Sequence, residues 1–343
     1  MKFPFCLISV FLSFALTINM AYAAPSAANL PISPELTSTV NAQPHALYFA
    51  KPVDLNDWHM IVNNFTKNTT QNAKRIASAQ NIQVEQLSYA GVPSFKLSPT
   101  STSSKSNKKI ILYLHGGAYV LGKDLGGTIE TFPLVSQYGY TVISPDYRLA
   151  PDHPYPAAVD DVFNVYKELV KQYGAENIVI LGNSSGATLG FALSLRALHD
   201  KIKVPAAIIA GSPWADIDKI GDTYFTHDGI DNALGTYEGL LREAKNVYVG
   251  KENPTNPYIS PVYADDNDLA QFPQTLIISG TRDLFLSNAA RIHKRLLING
   301  VNAQLIVYEA ISSSQYFVNP FAPETKEHYQ LLNRFIEKAN TEK

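Results

Sequence analysis

The sequence predicts an α/β fold: a mostly parallel central sheet with helices on both faces and a helical cap. Three observations carry this. Short apolar runs recur at 110–114, 140–144, 178–181, 206–210, 275–279 and 304–308. They are too short for helices and too continuous for half-exposed strands, which marks strands covered on both sides. Helix-period patterns lie between most of them, at 157–173, 185–199, 286–299 and 323–338, and such alternation gives parallel strands joined by crossover helices. The third observation is a break in the rhythm. Between Trp214 and Phe272 no strong strand is written, and the amphipathic TYEGLLREAKNVYVG reads as an insertion above the sheet.

In chain order, the first element is a targeting segment. Lys2 precedes the apolar run FPFCLISVFLSFALTINM, and Ala21-Tyr22-Ala23 forms an A-x-A cleavage site. A signal peptide over 1–23, cleaved after Ala23, is expected, placing the product in the periplasm or outside the cell with no stable membrane insertion after cleavage. An uncleaved anchor is the competing reading, since about 18 apolar residues nearly span a bilayer; Asn19 and the A-x-A end weigh against it. Cys6, the only cysteine, lies inside this segment, so the mature chain has neither disulfide nor thiol nucleophile. Residues 24–80 form an irregular lead-in followed by one or two polar-faced helices outside the core, over 55–80. IQVEQLSYAGVPSFKLSP alternates and turns at Ala90-Gly91, a hairpin. TSTSSKSNK is a surface loop. Residues 81–343 then form one α/β domain, with a cap insertion at about 215–271.

The balance of charge is nearly even, 28 Lys and Arg against 30 Asp and Glu. Nothing in it favours nucleic acid or an anionic membrane surface. No window carries zinc-ligand spacing, and no metal or organic cofactor is implied. The ligand expected is a small molecule; a homodimer stays open.

The chemistry concentrates in three places. In IVILGNSSGATLGFAL, Gly182-x-Ser184-x-Gly186 lies between a strand and a helix, where a serine on a sharp turn exposes its Oγ above the sheet. Side chains at the flanking glycines would collide in such a turn. A Gly/Ser-rich loop without chemistry is the bland alternative. In ILYLHGGAYVLG, the backbone N–H groups of Gly116, Gly117 and Ala118 can point at a developing oxyanion, with the N–H of Ser185 as a further donor. One such donor is worth about 3–4 kcal/mol in a transition state. His115 reads as a buttress for that loop rather than a proton carrier. In SGTRDLFLS, Asp283 follows a strand end, where catalytic groups collect in open α/β sheets. A carboxylate there could orient a histidine, or merely close a loop.

With these residues in view, the chain resembles the hormone-sensitive-lipase-like branch of α/β-hydrolases, carboxylesterases and lactone hydrolases among them. HGGAYVLG, PDYRLAPDHPYPAAVDD, GNSSGATL, SPWAD, SPVYAD and SGTRDLFLSNAARIHKRL carry the likeness, which runs from about residue 55 onward. It implies the α/β-hydrolase fold, ester or lactone hydrolysis through an acyl-enzyme, Ser184 as nucleophile, Asp283 as triad acid, and an oxyanion hole from residues 116–118 plus Ser185. Position 118 is Ala where many relatives have Gly; its N–H survives if the backbone angles are tolerated.

One departure stands out. The family's triad histidine sits after the last strand in a pattern like E-G-x-S-H-A-Q-Y, whereas this chain reads Glu309-Ala310-Ile311-Ser312-Ser313-Ser314-Gln315-Tyr316. Ser313 therefore takes the histidine's place. His293 and His328 are the nearest alternatives, both on helices. A serine cannot accept and return a proton as imidazole does. Three readings follow: a hydrolase that is weak or uses a displaced base, a catalytically dead binding protein, and an ordinary esterase into which Ser313 has been introduced. The aromatic residues Trp58, Phe65, Tyr224, Phe225 and Tyr237 suggest an apolar pocket under the cap, or packing alone.

Overall fold

The computed structural model describes residues 30–100 and 109–339. The expected signal peptide and nearly all of the TSTSSKSNK loop lie outside the described residues. The hairpin pairs β1 (Ile82–Tyr89) with β2 (Val92–Pro99) in antiparallel register, Tyr89 opposite Val92. Ala90 and Gly91 both take positive φ, 50° and 82°, as a two-residue turn with the twist of the flanking strands requires. The rest of the sheet is β3 (Ile110–Leu114), β4 (Thr141–Pro145), β5 (Ile178–Asn183), β6 (Ala207–Gly211), β7 (Gln274–Gly280) and β8 (Ala303–Tyr308). The order is β1-β2-β4-β3-β5-β6-β7-β8. Beyond the β2–β4 pair, which is antiparallel, every pairing from β4 to β8 is parallel.

Alternation along each strand feeds two cores. Leu112, Leu114, Ile180, Ile208 and Ile277 pack on one face with helices α4 (Ala157–Tyr173), α5 (Ser185–His199) and α9 (Leu286–Ile298). Ile111, Tyr113, Val179, Leu181 and Ile278 pack on the other against α10 (Pro323–Lys338) and the short α3 (Phe132–Ser136). The interval 215–271 holds no strand. Its main helix is α7 (Leu240–Val249), flanked by the single turns α6 (Thr223–Thr226) and α8 (Asp266–Leu269).

Before the sheet, α1 (Pro34–Val40) is capped by Ser33, and α2 (Leu55–Ala79) is one helix of 25 residues. The expectation that this helix lies outside the core needs correcting. Trp58 is buried in the first core, and Ala73 and Ala77 in the second, because small residues let the far end of the helix lie close to the sheet edge. Among the described residues, no helix is long and apolar enough to cross a membrane.

Candidate active site

The parallel strands end on one side, and the expected site residues sit there: Gly116–Ala118 after β3, Ser184 after β5, Asp283 after β7, Ser313 after β8. Ser184 has φ 53° and ψ −120°, a region costly for a residue with a Cβ. It is held there by its N–H donating to the Gly211 carbonyl at 2.8 Å. The turn also needs the missing side chains on either side. A Cβ on Gly182 would lie 2.4 Å from the Gly186 oxygen, and one on Gly186 would lie 1.9 Å from the Leu114 oxygen. Ser185 opens α5, so its N–H is in the first helical turn, where no carbonyl within the helix reaches it.

The loop after β3 is equally cramped. A Cβ on Gly117, at φ 118°, would lie 2.4 Å from the Leu121 oxygen, and one on Gly116 would lie 3.0 Å from the Asn183 oxygen. Ala118 and Tyr119 take φ 54° and 65°, so the alanine here occupies a left-handed position that suits glycine better. His115 is buried and stacks on Tyr147 at 4.1 Å between centroids. Its Nδ1 lies 2.8 Å from the Gly116 carbonyl, and burial pushes its pKa down to about 4. Tyr147 OH donates to the His115 carbonyl at 2.7 Å. This pinned, neutral ring fits the buttress role.

Asp283 is fully buried. Its Oδ1 accepts the Phe285 N–H at 2.8 Å and its Oδ2 the Ser279 hydroxyl at 2.7 Å, while Ser212 and Ser313 lie beside it. Burial raises its pKa despite these donors. The three consecutive serines thus divide their work. The Ser312 hydroxyl donates to Asn232 Oδ1 at 2.7 Å, the Ser313 N–H donates to Asp231 beside Asp283, and the Ser314 hydroxyl donates to Asn183 Oδ1. Ser314 itself sits at φ 61°.

Ser184, Ser313, Ser314 and Gly116–Ala118 line one cavity of about 300 Å³, walled by Tyr48, Phe65, Leu121, Leu234, Leu240 and Leu241. Of the aromatic residues expected to shape a pocket, Phe65 alone lines this cavity. Trp58, Tyr224 and Tyr237 are buried in core packing, and Phe225 faces solvent. Neither alternative histidine borders it. His328 is buried beside Tyr316 with its pKa pushed down to about 3, and His293 leans on the Ala303 carbonyl at 3.3 Å. His115 is thus the sole imidazole among the cavity's lining residues.

Sequence reasoning missed two buried carboxyls. Asp231 lies behind Ser313: its oxygens accept the N–H groups of Ala233, Leu234, Leu284 and Ser313, and burial together with Asp283 raises its pKa to about 7. Glu130 borders the cavity itself, and burial raises it to about 7 as well. Its signal was a lone acid in the otherwise uncharged stretch LGGTIETFPLV. The lead-in segment also reaches the site. Asn232 Nδ2 donates to the carbonyls of Thr39 and Ala42, each at 2.8 Å, and Gln315 Nε2 donates to Asn232 Oδ1 at 2.8 Å.

The same fold recurs among known proteins. A family model described as the alpha/beta hydrolase fold matches residues 111–312. An esterase of Acinetobacter venetianus is 29% identical over 247 residues, 72% of this chain and 79% of that protein. An acetyl-hydrolase of Streptomyces hygroscopicus is 28% identical over 241 residues, 70% of this chain and 79% of its own. The crystal structure of an esterase called E25 superposes with a TM-score of 0.85 at 34% identity, covering 92% of this chain and 97% of that one.

Proposed function

Because this chain belongs to the alpha/beta-hydrolase family, in its hormone-sensitive-lipase-like esterase branch, we propose that it is an exported carboxylic ester hydrolase working by acyl transfer at Ser184. The observation that carries this is the strained Ser184, facing one cavity together with the Gly116–Ala118 loop and Ser313. Ser184 Oγ attacks the ester carbonyl. The carbonyl electron pair moves to oxygen and is received by backbone N–H groups of Gly116, Gly117, Ala118 and Ser185. The Ser184 proton passes to water, the alkoxide leaves and takes a proton from water, and a second water hydrolyses the acyl-enzyme, releasing the acid and restoring the Ser184 hydroxyl. Lactones fit the same scheme, their leaving group staying tethered to the acid.

Ser313 sets the rate. At the position where the family holds a triad imidazole, it lies beside Asp283, and its hydroxyl cannot carry the Ser184 proton. Oxyanion stabilisation and binding alone leave about 10³–10⁴-fold over water. Hydrolysis of p-nitrophenyl acetate and butyrate by the natural chain, measured beside Ser184→Ala, tests this. Equal rates reject turnover at Ser184. A second reading, a binding protein without turnover, draws on the same Ser313. It predicts that esters raise the melting temperature while no acid is released. Export draws on the leading 23 residues, and recovery of the chain in the cytoplasmic fraction alone, with the leading segment retained, would reject it.

A further inference from the structure

The charge accounting in the Ser184 cavity does not close. Glu130 is 4% exposed and forms part of its wall. Its carboxyl has three hydrogen-bond contacts, all with donors: Tyr113 OH to Oε2 at 2.8 Å, and Asn183 Nδ2 to Oε2 and Oε1 at 3.3 and 3.4 Å. Donors on both oxygens suit the ionised carboxylate, yet no lysine or arginine lines this cavity. The titratable groups packed around Glu130 are neutral: Tyr113 from β3, Tyr316 beside the serine loop, Tyr329 from α10, whose OH donates to the Glu130 carbonyl at 2.7 Å, and the uncharged His115. From α2, Phe65 and Thr69 reach the wall and carry no charge. Buried carboxylates are normally paired, and Oε1 keeps only its single long contact.

We propose that Glu130 is a specificity-determining residue that receives a protonated amino group of the ligand at the polar end of this otherwise apolar cavity. The proposal rests on reading the cavity as the ester site, and deepens it by naming the substrate class: esters with an ammonium a short aliphatic chain away from the scissile carbonyl. The leucines, Phe65 and Tyr48 hold the chain, and the carboxylate holds the cation. Burial pushes Glu130 up to about 7, so the preference for a cation strengthens as pH rises through neutrality.

The test is protection of Ser184 from labelling by diethyl p-nitrophenyl phosphate, followed by intact mass, with n-hexylammonium and 1-hexanol as competing probes. The ammonium stays charged throughout, its pKa lying near that of lysine. At pH 8 hexylammonium should protect at concentrations at least ~10-fold below those of hexanol, about 1.4 kcal/mol. The difference should vanish in Glu130→Gln, which keeps an acceptor for Tyr113. Equal protection by the two probes, or a preference that survives in Glu130→Gln, overturns the proposal. If that variant does not fold, the natural chain decides: a preference that stays flat from pH 5.5 to 8.5 overturns it. Asp231 titrates in the same range, but it is tied to four backbone N–H groups behind Ser313 and is unchanged by Glu130→Gln. If Ser184 takes no label at all, the hydrolase reading fails. The melting-temperature shift by hexylammonium over hexanol then judges Glu130 separately, and no difference sinks it.

Discussion

Restoring imidazole at position 313 is the sharpest perturbation available. In Ser313→His the new ring would enter a cavity of about 300 Å³ that Ser184 also lines, and its inner nitrogen would lie beside Asp283. On the proposed reading the orienting carboxylate and the oxyanion donors are already in place, so the substitution adds the proton carrier alone. Positioned acid–base catalysis contributes about 10²–10⁴-fold, and each decade is about 1.4 kcal/mol of barrier. A gain of about 3–5 kcal/mol in transition-state stabilisation is therefore expected for p-nitrophenyl acetate. The pH dependence has a definite sign. Asp283 and Asp231 sit beside position 313, and nearby carboxylates favour the charged imidazolium, so the new histidine titrates above its ordinary value near 6.5. Activity gained should thus fall away as pH drops below about 7. Steady-state kcat/KM from pH 5 to 9, with Ser313→His/Ser184→Ala as control, measures this. A folded Ser313→His no faster than the natural chain would refute the placement of residue 313 opposite Ser184. A gain surviving in the double variant would refute the nucleophile.

Other outcomes follow from the same geometry. Gly186→Ala would set a methyl 1.9 Å from the Leu114 carbonyl; neither backbone can move without breaking β3 or the elbow, so a loss above ~4 kcal/mol, or no folded protein, is expected by urea denaturation. Ala118→Gly relieves φ 54°, worth about 1–2 kcal/mol, against about 0.5–1 kcal/mol of added unfolded-state entropy. A small net rise in melting temperature should result, and a fall would show that Ala118 is not strained. Glu130→Gln probes linkage. Its folded pKa, about 7, stands above the unfolded carboxyl value, so its stabilising contribution is full below about pH 4 and lost as pH rises through 7. Glutamine does not titrate, so the variant should gain on the natural chain by on the order of 1–3 kcal/mol between pH 5 and 8 in thermal melts. A pH-independent difference contradicts the buried carboxyl.

The sheet was legible because its strands are written as unbroken apolar runs, which only doubly covered strands need; IILYL and IVIL fall directly on β3 and β5. The elbow was legible for a similar reason, since Gly182 and Gly186 leave room for nothing else. What stayed hidden depends on three-dimensional closure. Glu130 lies in a short 3-10 turn with no periodicity to mark it, and only folding brings it beside Asn183. Tyr224 and Tyr237 could have been pocket aromatics or packing; Tyr224 packs against Phe285 and Tyr237, and Tyr237 against Trp214, and nothing in a local string separates a ring facing a cavity from one facing a neighbour. Ser313 stood out only against the histidine of the family the chain resembles, whereas Asp283 was marked by its place after a strand end.

The lead-in segment bears on the timing of synthesis. Ser33 is held by both oxygens of Glu324, at 2.6 and 2.7 Å, and Glu35 by Asn319 at 2.6 Å, while Thr39 and Ala42 secure Asn232. The first described residues of the polypeptide therefore dock onto some of the last. A nascent chain lacking its final few dozen residues would lose the Glu324 and Asn319 contacts and hold this strap by Asn232 alone. The strap is fully fastened only once residues 319–324 have been made.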